Sequence, residues 1–228
     1  MPASTAPSRS PGETCVTEPM FEDRKAAGRA LAPLLAEYGG RDDLLVLALP
    51  RGGVPVAREV ARALGAPLDV LVVRKLGAPD REEVAVGAIA AGGIRVLNEP
   101  VIRALGVGEE QLRAETERQQ TELARRERAF RGDRPWPELA GRTLIVVDDG
   151  FATGATMKAA VRALRLFEPR AILVAVPVAP DNAEAEMSRL ADRFLAVATP
   201  ADFVAVGRWY RDFEQVTDDQ VRELLAED

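Results

Sequence analysis

Residues 144–156 read Leu144-Ile145-Val146-Val147-Asp148-Asp149-Gly150-Phe151-Ala152-Thr153-Gly154-Ala155-Thr156. The four apolar residues have the character of a strand buried on both faces. They deliver two adjacent acids to the carboxyl end of that strand, where open α/β sheets bind their ligands. The residues that follow are, Phe151 apart, small or hydroxyl-bearing, and they open a helix. Backbone N–H groups, the Thr153 and Thr156 hydroxyls and the helix dipole there make a phosphate cradle. The Gly-Lys-Ser/Thr ending of a nucleoside-triphosphate loop and the Gly-x-Gly-x-x-Gly of dinucleotide folds are both absent from this window. Carboxylates beside a phosphate cradle suit the hydroxyls of a ribose. The plainer alternative is a pair of acids that cap a turn and threonines that cap a helix.

Outward from this window the pattern alternates. On the C-terminal side come a helix over 154–167, a strand over 171–176, a helix over 182–191 and a strand over 194–197. On the N-terminal side, Leu44 to Leu49 is a second apolar run, followed by Pro50-Arg51-Gly52-Gly53 and then Val56, Val60 and Leu64 at helical spacing. Asp69 to Val73 repeats the strand signal and completes a βαβ crossover. Such alternation indicates a doubly wound α/β fold. Gly92-Gly93, between Val84–Ala90 and Ile94–Leu97, marks a hairpin that leaves the sheet. Asn98 can cap a short helix. Residues 108–131 read as a long charged helix with Glu109-Arg113, Glu122-Arg126 and Glu127-Arg131 four apart, mostly a solvated face. Residues 21–38 have helical spacing that Pro33 interrupts. A last helix starts at Thr217, with Gln220 placed to complete a capping box.

The chain has 228 residues, 47% hydrophobic and 29% charged, which suits one globular core. Residues 1–19 carry no apolar period and are expected to form a disordered tail. Histidine is absent and Cys15 is the single cysteine. Those two facts exclude Ser-His-Asp and Cys-His hydrolases, multi-cysteine zinc sites and an internal disulfide framework. A net charge of -6 argues against a nucleic-acid partner. Neither a secretory signal pattern nor an apolar run of spanning length occurs, so no membrane association and a cytoplasmic location are expected.

Four apolar residues, two acids and Ala152-Thr153-Gly154-Ala155-Thr156 together resemble the signature of the type I phosphoribosyltransferase family. The resemblance implies an α/β fold over residues 20–228, with an open, mostly parallel sheet flanked by helices, a hood and a flexible hairpin. It implies that Asp148 and Asp149 hold the ribose hydroxyls of 5-phosphoribosyl-1-pyrophosphate (PRPP). Gly150, Phe151, Ala152, Thr153, Gly154, Ala155 and Thr156 would bind the rest of the donor's phosphoribosyl end, the last five wrapping its 5′-phosphate. Pro50-Arg51-Gly52-Gly53 is similar to the family's pyrophosphate loop, with Arg51, Gly52 and Gly53 as contacts; an ordinary strand-to-helix turn is the alternative. Arg74 and Lys75 stand where the family often places a cation near pyrophosphate, or are two exposed bases at a strand end. Phe203, Trp209 and Tyr210, close to Phe213, resemble a hood whose aromatic stacks on the base. A hydrophobic lid or a homodimer contact would use the same residues.

The chemistry implied is displacement of pyrophosphate from ribose C1 by a nitrogenous acceptor, with Asp148, Asp149 and Arg51 as catalytic residues. Mg2+ is the implied cofactor, with few direct protein ligands. A non-catalytic PRPP-binding regulatory protein is the alternative. The sequence departs from 6-oxopurine enzymes at two places: Ala152 stands where they carry an acid, and Val176 to Pro180 contain no lysine for the purine carbonyl. The Pro-Arg-Gly-Gly and Arg74-Lys75-Leu76-Gly77-Ala78-Pro79 stretches also resemble bacterial phosphoribosyltransferases with no assigned base.

Overall fold

A computed structural model describes residues 19–79 and 81–226. The expected tail up to residue 18, and Cys15 within it, lie outside the described residues. The parallel sheet takes its strands from β1 (Leu44–Ala48), β2 (Leu68–Val70), β6 (Thr143–Val147), β7 (Ala171–Val178) and β8 (Arg193–Ala198). Their spatial order is β2-β1-β6-β7-β8, parallel throughout. Chain order therefore reverses between β1 and β6, and a crevice opens above the carboxyl ends of those two strands.

Continuous apolar runs form these strands because both faces are covered. Val46, Ala48, Ile145, Val147, Leu173 and Ala175 face one core, with α2 (Gly53–Leu64) packed on it. Leu45, Leu47, Leu144, Val146, Ile172 and Val174 face the other, with α5 (Ala155–Arg165). The two-residue period of a strand sorts alternate residues to the two faces. Val56, Val60 and Leu64 of α2 are buried, as their spacing predicts. Helix α1 (Arg24–Leu31) gives way to a 3-10 segment at Ala32–Tyr38, where Pro33 ends regular α-helical bonding.

The second strand differs from its expected bounds. β2 ends at Val70, and β3 (Val73–Ala78) begins a separate antiparallel sheet with β4 (Arg81–Ala90) and β5 (Ile94–Leu97). Gly92 and Gly93, at φ 81° and 78°, turn β4 into β5 as the hairpin signal requires. Asn98 precedes α3 (Glu99–Leu105) without making a side-chain cap bond. The long helix α4 (Glu109–Arg131) has the Glu122–Arg126 pair at 2.8 Å. Arg131 departs from the solvated face expected of this helix: it is buried and forks onto Asp69, with both bonds at 3.0 Å. A buried guanidinium needs a bidentate partner, and the carboxylate at β2 supplies one. The helix expected over 182–191 is only the five residues of α6 (Ala183–Met187). The terminal helix α7 (Asp218–Ala226) has its capping box, with Thr217 N–H donating to Gln220 and Gln220 N–H to Thr217. Among the described residues, no helix is long and apolar enough to cross a membrane.

Candidate active site

Two loops meet in the crevice. After β1 the chain turns sharply through Pro50–Gly52, the Pro50–Arg51 peptide being cis, and Gly53 N–H returns to the Leu49 carbonyl at 3.1 Å. After β6 come Asp148 and Asp149, both partly buried. The loops touch so closely that side chains are excluded from the first. A Cβ on Gly53 would lie 2.7 Å from the Val147 carbonyl and 2.9 Å from Asp148 Cα, and one on Gly52 would collide with the Asp149 carboxylate. The Gly-Gly pair thus serves the approach of one loop to the other.

The carboxylates are electrostatically uncomfortable. Burial, and then the charge of Asp149, push the Asp148 carboxyl well above the usual range. Burial also raises Asp149, and the guanidinium of Arg24 works against that rise. Asp148 accepts a bond from the Asp149 N–H at 2.9 Å. A ligand that donates hydroxyl hydrogens, or a cation, would relieve this pair.

The loop beyond is anchored below and open above. Phe151 is buried, edge-on to Phe194 at 5.6 Å between centroids, and its N–H donates to the Val178 carbonyl at 2.9 Å. Gly154 has φ 66° and lies against that ring, so no side chain fits there. Ala152, Thr153, Ala155 and Thr156 are exposed at the N-terminal end of α5. Phe151 is therefore the anchor of this loop, and the four exposed residues form its rim. Thr153 also makes a weak capping contact, accepting from Ala155 N–H at 3.4 Å.

The structure brings Arg51, Gly52, Gly53, Asp148 and Asp149 together, whereas Arg74 and Lys75 stand on β3 of the second sheet. Because β3 belongs to the second sheet, Arg74 donates to Gln119 of α4 at 2.8 Å. Lys75 lines a 410 Å³ cavity between that sheet and α5, with Lys158 and Arg162 on its other wall. The aromatic cluster also divides. Trp209 and Tyr210 are 6% and 4% exposed and pack with Phe21, Ala27 and Val178, so they have no free face for a base. Phe203 is half-buried and Val204 exposed.

Two residues of the site, and the contact made by a third, were not singled out from the sequence. Arg24 binds the Asp149 carboxylate at 2.8 Å. Asp218 accepts from Arg51 at 3.3 Å. Tyr210, expected to stack on a base, turns its hydroxyl to the Asp149 carbonyl and donates to it at 2.5 Å. Each partner is distant in sequence, and no local period signals the pairing.

A family model described as the phosphoribosyl transferase domain matches residues 20–206. The chain belongs to the phosphoribosyl transferase family. A Mycobacterium tuberculosis protein provisionally named a phosphoribosyl transferase is 49% identical over 206 residues, covering 90% of this chain. That stretch is 46% of the relative, so the chain spans about half the length of the protein it matches. The crystal structure of TT1426 from Thermus thermophilus is 44% identical, with a TM-score of 0.82 over 91% of this chain and 98% of that one. The parallel sheet flanked by helices is the architecture shared with that structure.

Proposed function

We propose that this protein is a phosphoribosyltransferase that binds PRPP and passes its phosphoribosyl group to a nitrogen nucleophile, releasing pyrophosphate. The reading rests on one juxtaposition: two partly buried carboxylates at the end of β6 run straight into an exposed helix N-terminus, beside the Arg51 loop. Asp148 and Asp149 would accept from the ribose hydroxyls. The rim of Ala152, Thr153, Ala155 and Thr156 would take the 5′-phosphate on N–H groups and hydroxyls. Arg51 would exchange Asp218 for the pyrophosphate, neutralising charge as it develops on the leaving group. Binding in this crevice holds C1 against the acceptor, so positioning supplies much of the acceleration.

Magnesium suits hard oxygen donors and keeps its waters. Asp148 and Asp149 offer such oxygens, and among the described residues no group of three metal-ligating side chains is present. These residues fit a magnesium ion held chiefly by the donor's own oxygens; when bound it supplies charge neutralisation at the pyrophosphate. We take the setting to be cytoplasmic.

The test is thermal unfolding with PRPP and magnesium. Saturation at 100 times the dissociation constant should add about 2.7 kcal/mol, and ribose 5-phosphate should add less. No shift at millimolar PRPP would remove the reading. Pyrophosphate release should then be followed across a panel of acceptors. Hypoxanthine and guanine should be poor, since Ala152 can take no proton and a positioned base is worth about 100- to 10,000-fold. Acceptors already anionic, or simple amines, escape that penalty. The same alanine favours a second reading, a PRPP-binding regulatory protein, which binding without turnover of any acceptor would select.

A further inference from the structure

The side chain of Arg24, the first residue of α1, is largely shielded beside Asp149. Its Nε donates to Asp149 Oδ2 at 2.8 Å, and the two side chains are only 11% and 16% exposed. Three features fix it there. Asp23 caps α1, accepting from Ala26 N–H at 2.6 Å, so the residue's backbone is set. Gly28, one turn on, lets α1 press against α2; a Cβ there would lie 2.6 Å from the Val56 carbonyl. From the C-terminal side, the Glu214 carbonyl accepts from Nη1 at 2.7 Å, and the Phe213 ring lies 3.9 Å from the guanidinium carbon.

The same C-terminal segment holds the main chain of Asp149. Phe213 packs on Tyr210 at 5.0 Å between centroids, and the Tyr210 hydroxyl donates to the Asp149 carbonyl. Phe21 N–H meets the Trp209 carbonyl, and Arg211 N–H meets that of Phe21, both at 2.9 Å. Asp149 is thus gripped on side chain and backbone by one assembly built from residues 21–24 and 209–214. A buried ion pair is a weak source of stability, because desolvation offsets most of its attraction. Orientation is what it supplies. The bond occupies Oδ2 and leaves Oδ1 as an acceptor in a fixed direction.

We infer that Arg24 is a positioning residue of the donor site: it holds the Asp149 carboxylate in the orientation that meets the ribose hydroxyls, and it makes that orientation depend on the docking of residues 209–214. The inference rests on the PRPP-binding reading above. It adds a residue from α1 to the donor-binding residues that follow β1 and β6.

The experiment compares wild type, Arg24→Ala, Arg24→Lys and Phe213→Leu in calorimetric PRPP binding and in donor KM and kcat. Charge-assisted hydrogen bonds of this kind are worth roughly 10- to 100-fold, so Arg24→Ala should raise the donor Kd and KM by that factor, with a smaller change in kcat. Guanidinium ion at millimolar concentration should restore part of the loss in Arg24→Ala. Arg24→Lys should recover only part, because one ammonium cannot reproduce the fork that spans Asp149 and Glu214. Phe213→Leu, at an exposed ring, should raise KM by a few-fold as the cation–π contact goes. If wild type binds PRPP and Arg24→Ala binds it equally well, with only its melting temperature lowered, the pairing is structural and the inference is overturned. If wild type itself does not bind PRPP, the functional reading falls first and takes the inference with it. Should Arg24→Ala not fold, Arg24→Lys and Phe213→Leu decide the question, since unchanged KM in both would refute it.

Discussion

Residues 148–156 and residues 203–214 are both loops at the carboxyl edge of the parallel sheet, and they meet where a Cβ on Gly150 would touch Val206 at 2.5 Å. They are built on opposite plans. The first is contiguous, short-sided and open, with its one large residue, Phe151, turned inward as an anchor. The second is rich in aromatics, and most of them are consumed in holding it down: Trp209 and Tyr210 are buried against Phe21, and Phe213 lies over Arg24. A loop whose chemistry lies in main-chain N–H groups and adjacent carboxylates shows its job in its residue order. A loop of large rings shows only that something apolar will be covered, because a ring serves a core and a ligand equally well.

Mutations in the two loops should therefore be expressed in different quantities. The largest effect is expected from Trp209→Ala, which should cost about 3–5 kcal/mol of unfolding free energy in urea, the usual loss for a buried large aromatic. A loss below about 1 kcal/mol would show that Trp209 is dispensable to the fold and return it to the ligand-facing side of the comparison. Next, Asp148→Asn combined with Asp149→Asn should weaken PRPP binding by about 100-fold or more, since two charged hydrogen-bond acceptors are lost, while Asp148→Asn alone should leave the melting temperature equal or higher, since the repulsion is relieved without unpairing Arg24. Unchanged affinity would reduce the acids to turn caps.

The pH dependence of stability tests the carboxylate pair separately. Unfolded aspartates titrate near 3.9. Folded Asp148 titrates well above that because of burial and the neighbouring Asp149 charge, and Asp149 is also raised by burial. Between the unfolded and folded values the native chain retains protons that the unfolded chain has released. Stability attributable to the pair should therefore fall as pH rises through that window, by at most about 1.4 kcal/mol per pH unit for each group. Urea midpoints measured at steps from about pH 4 to 7 should show the fall in wild type and a shallower one in Asp148→Asn. Equal slopes would mean that solvent or a counter-ion already compensates the carboxyl.

How far the site was legible follows from the same contrast. The Asp148–Thr156 segment could be read because a buried strand, two acids and a small-residue turn are consecutive, and each step is local. The Pro50–Gly53 loop was legible as a tight Gly-Gly turn, and its glycines allow the close approach of Asp148 and Asp149 across the crevice. Arg74 and Lys75 were harder to place, since Asp69–Val73 reads as one strand. The chain leaves the parallel sheet after Val70, and both bases leave with it. Arg24 and Asp218 were invisible: Arg24 lies 125 residues from its partner and Asp218 lies 167 from Arg51.

The sequence by itself determined the alternation of strands and helices, the double-sided burial of the parallel strands and the strand-acids-turn-helix order of the Asp-Asp loop, because strand period, turn residues and capping are interactions among near neighbours. Tertiary structure alone decided which charges oppose which. Asp149 faces Arg24, Arg51 faces Asp218 and Arg131 faces Asp69, since a charged side chain takes whatever partner the packing of distant elements brings within about 3 Å, and sequence spacing carries no record of that distance.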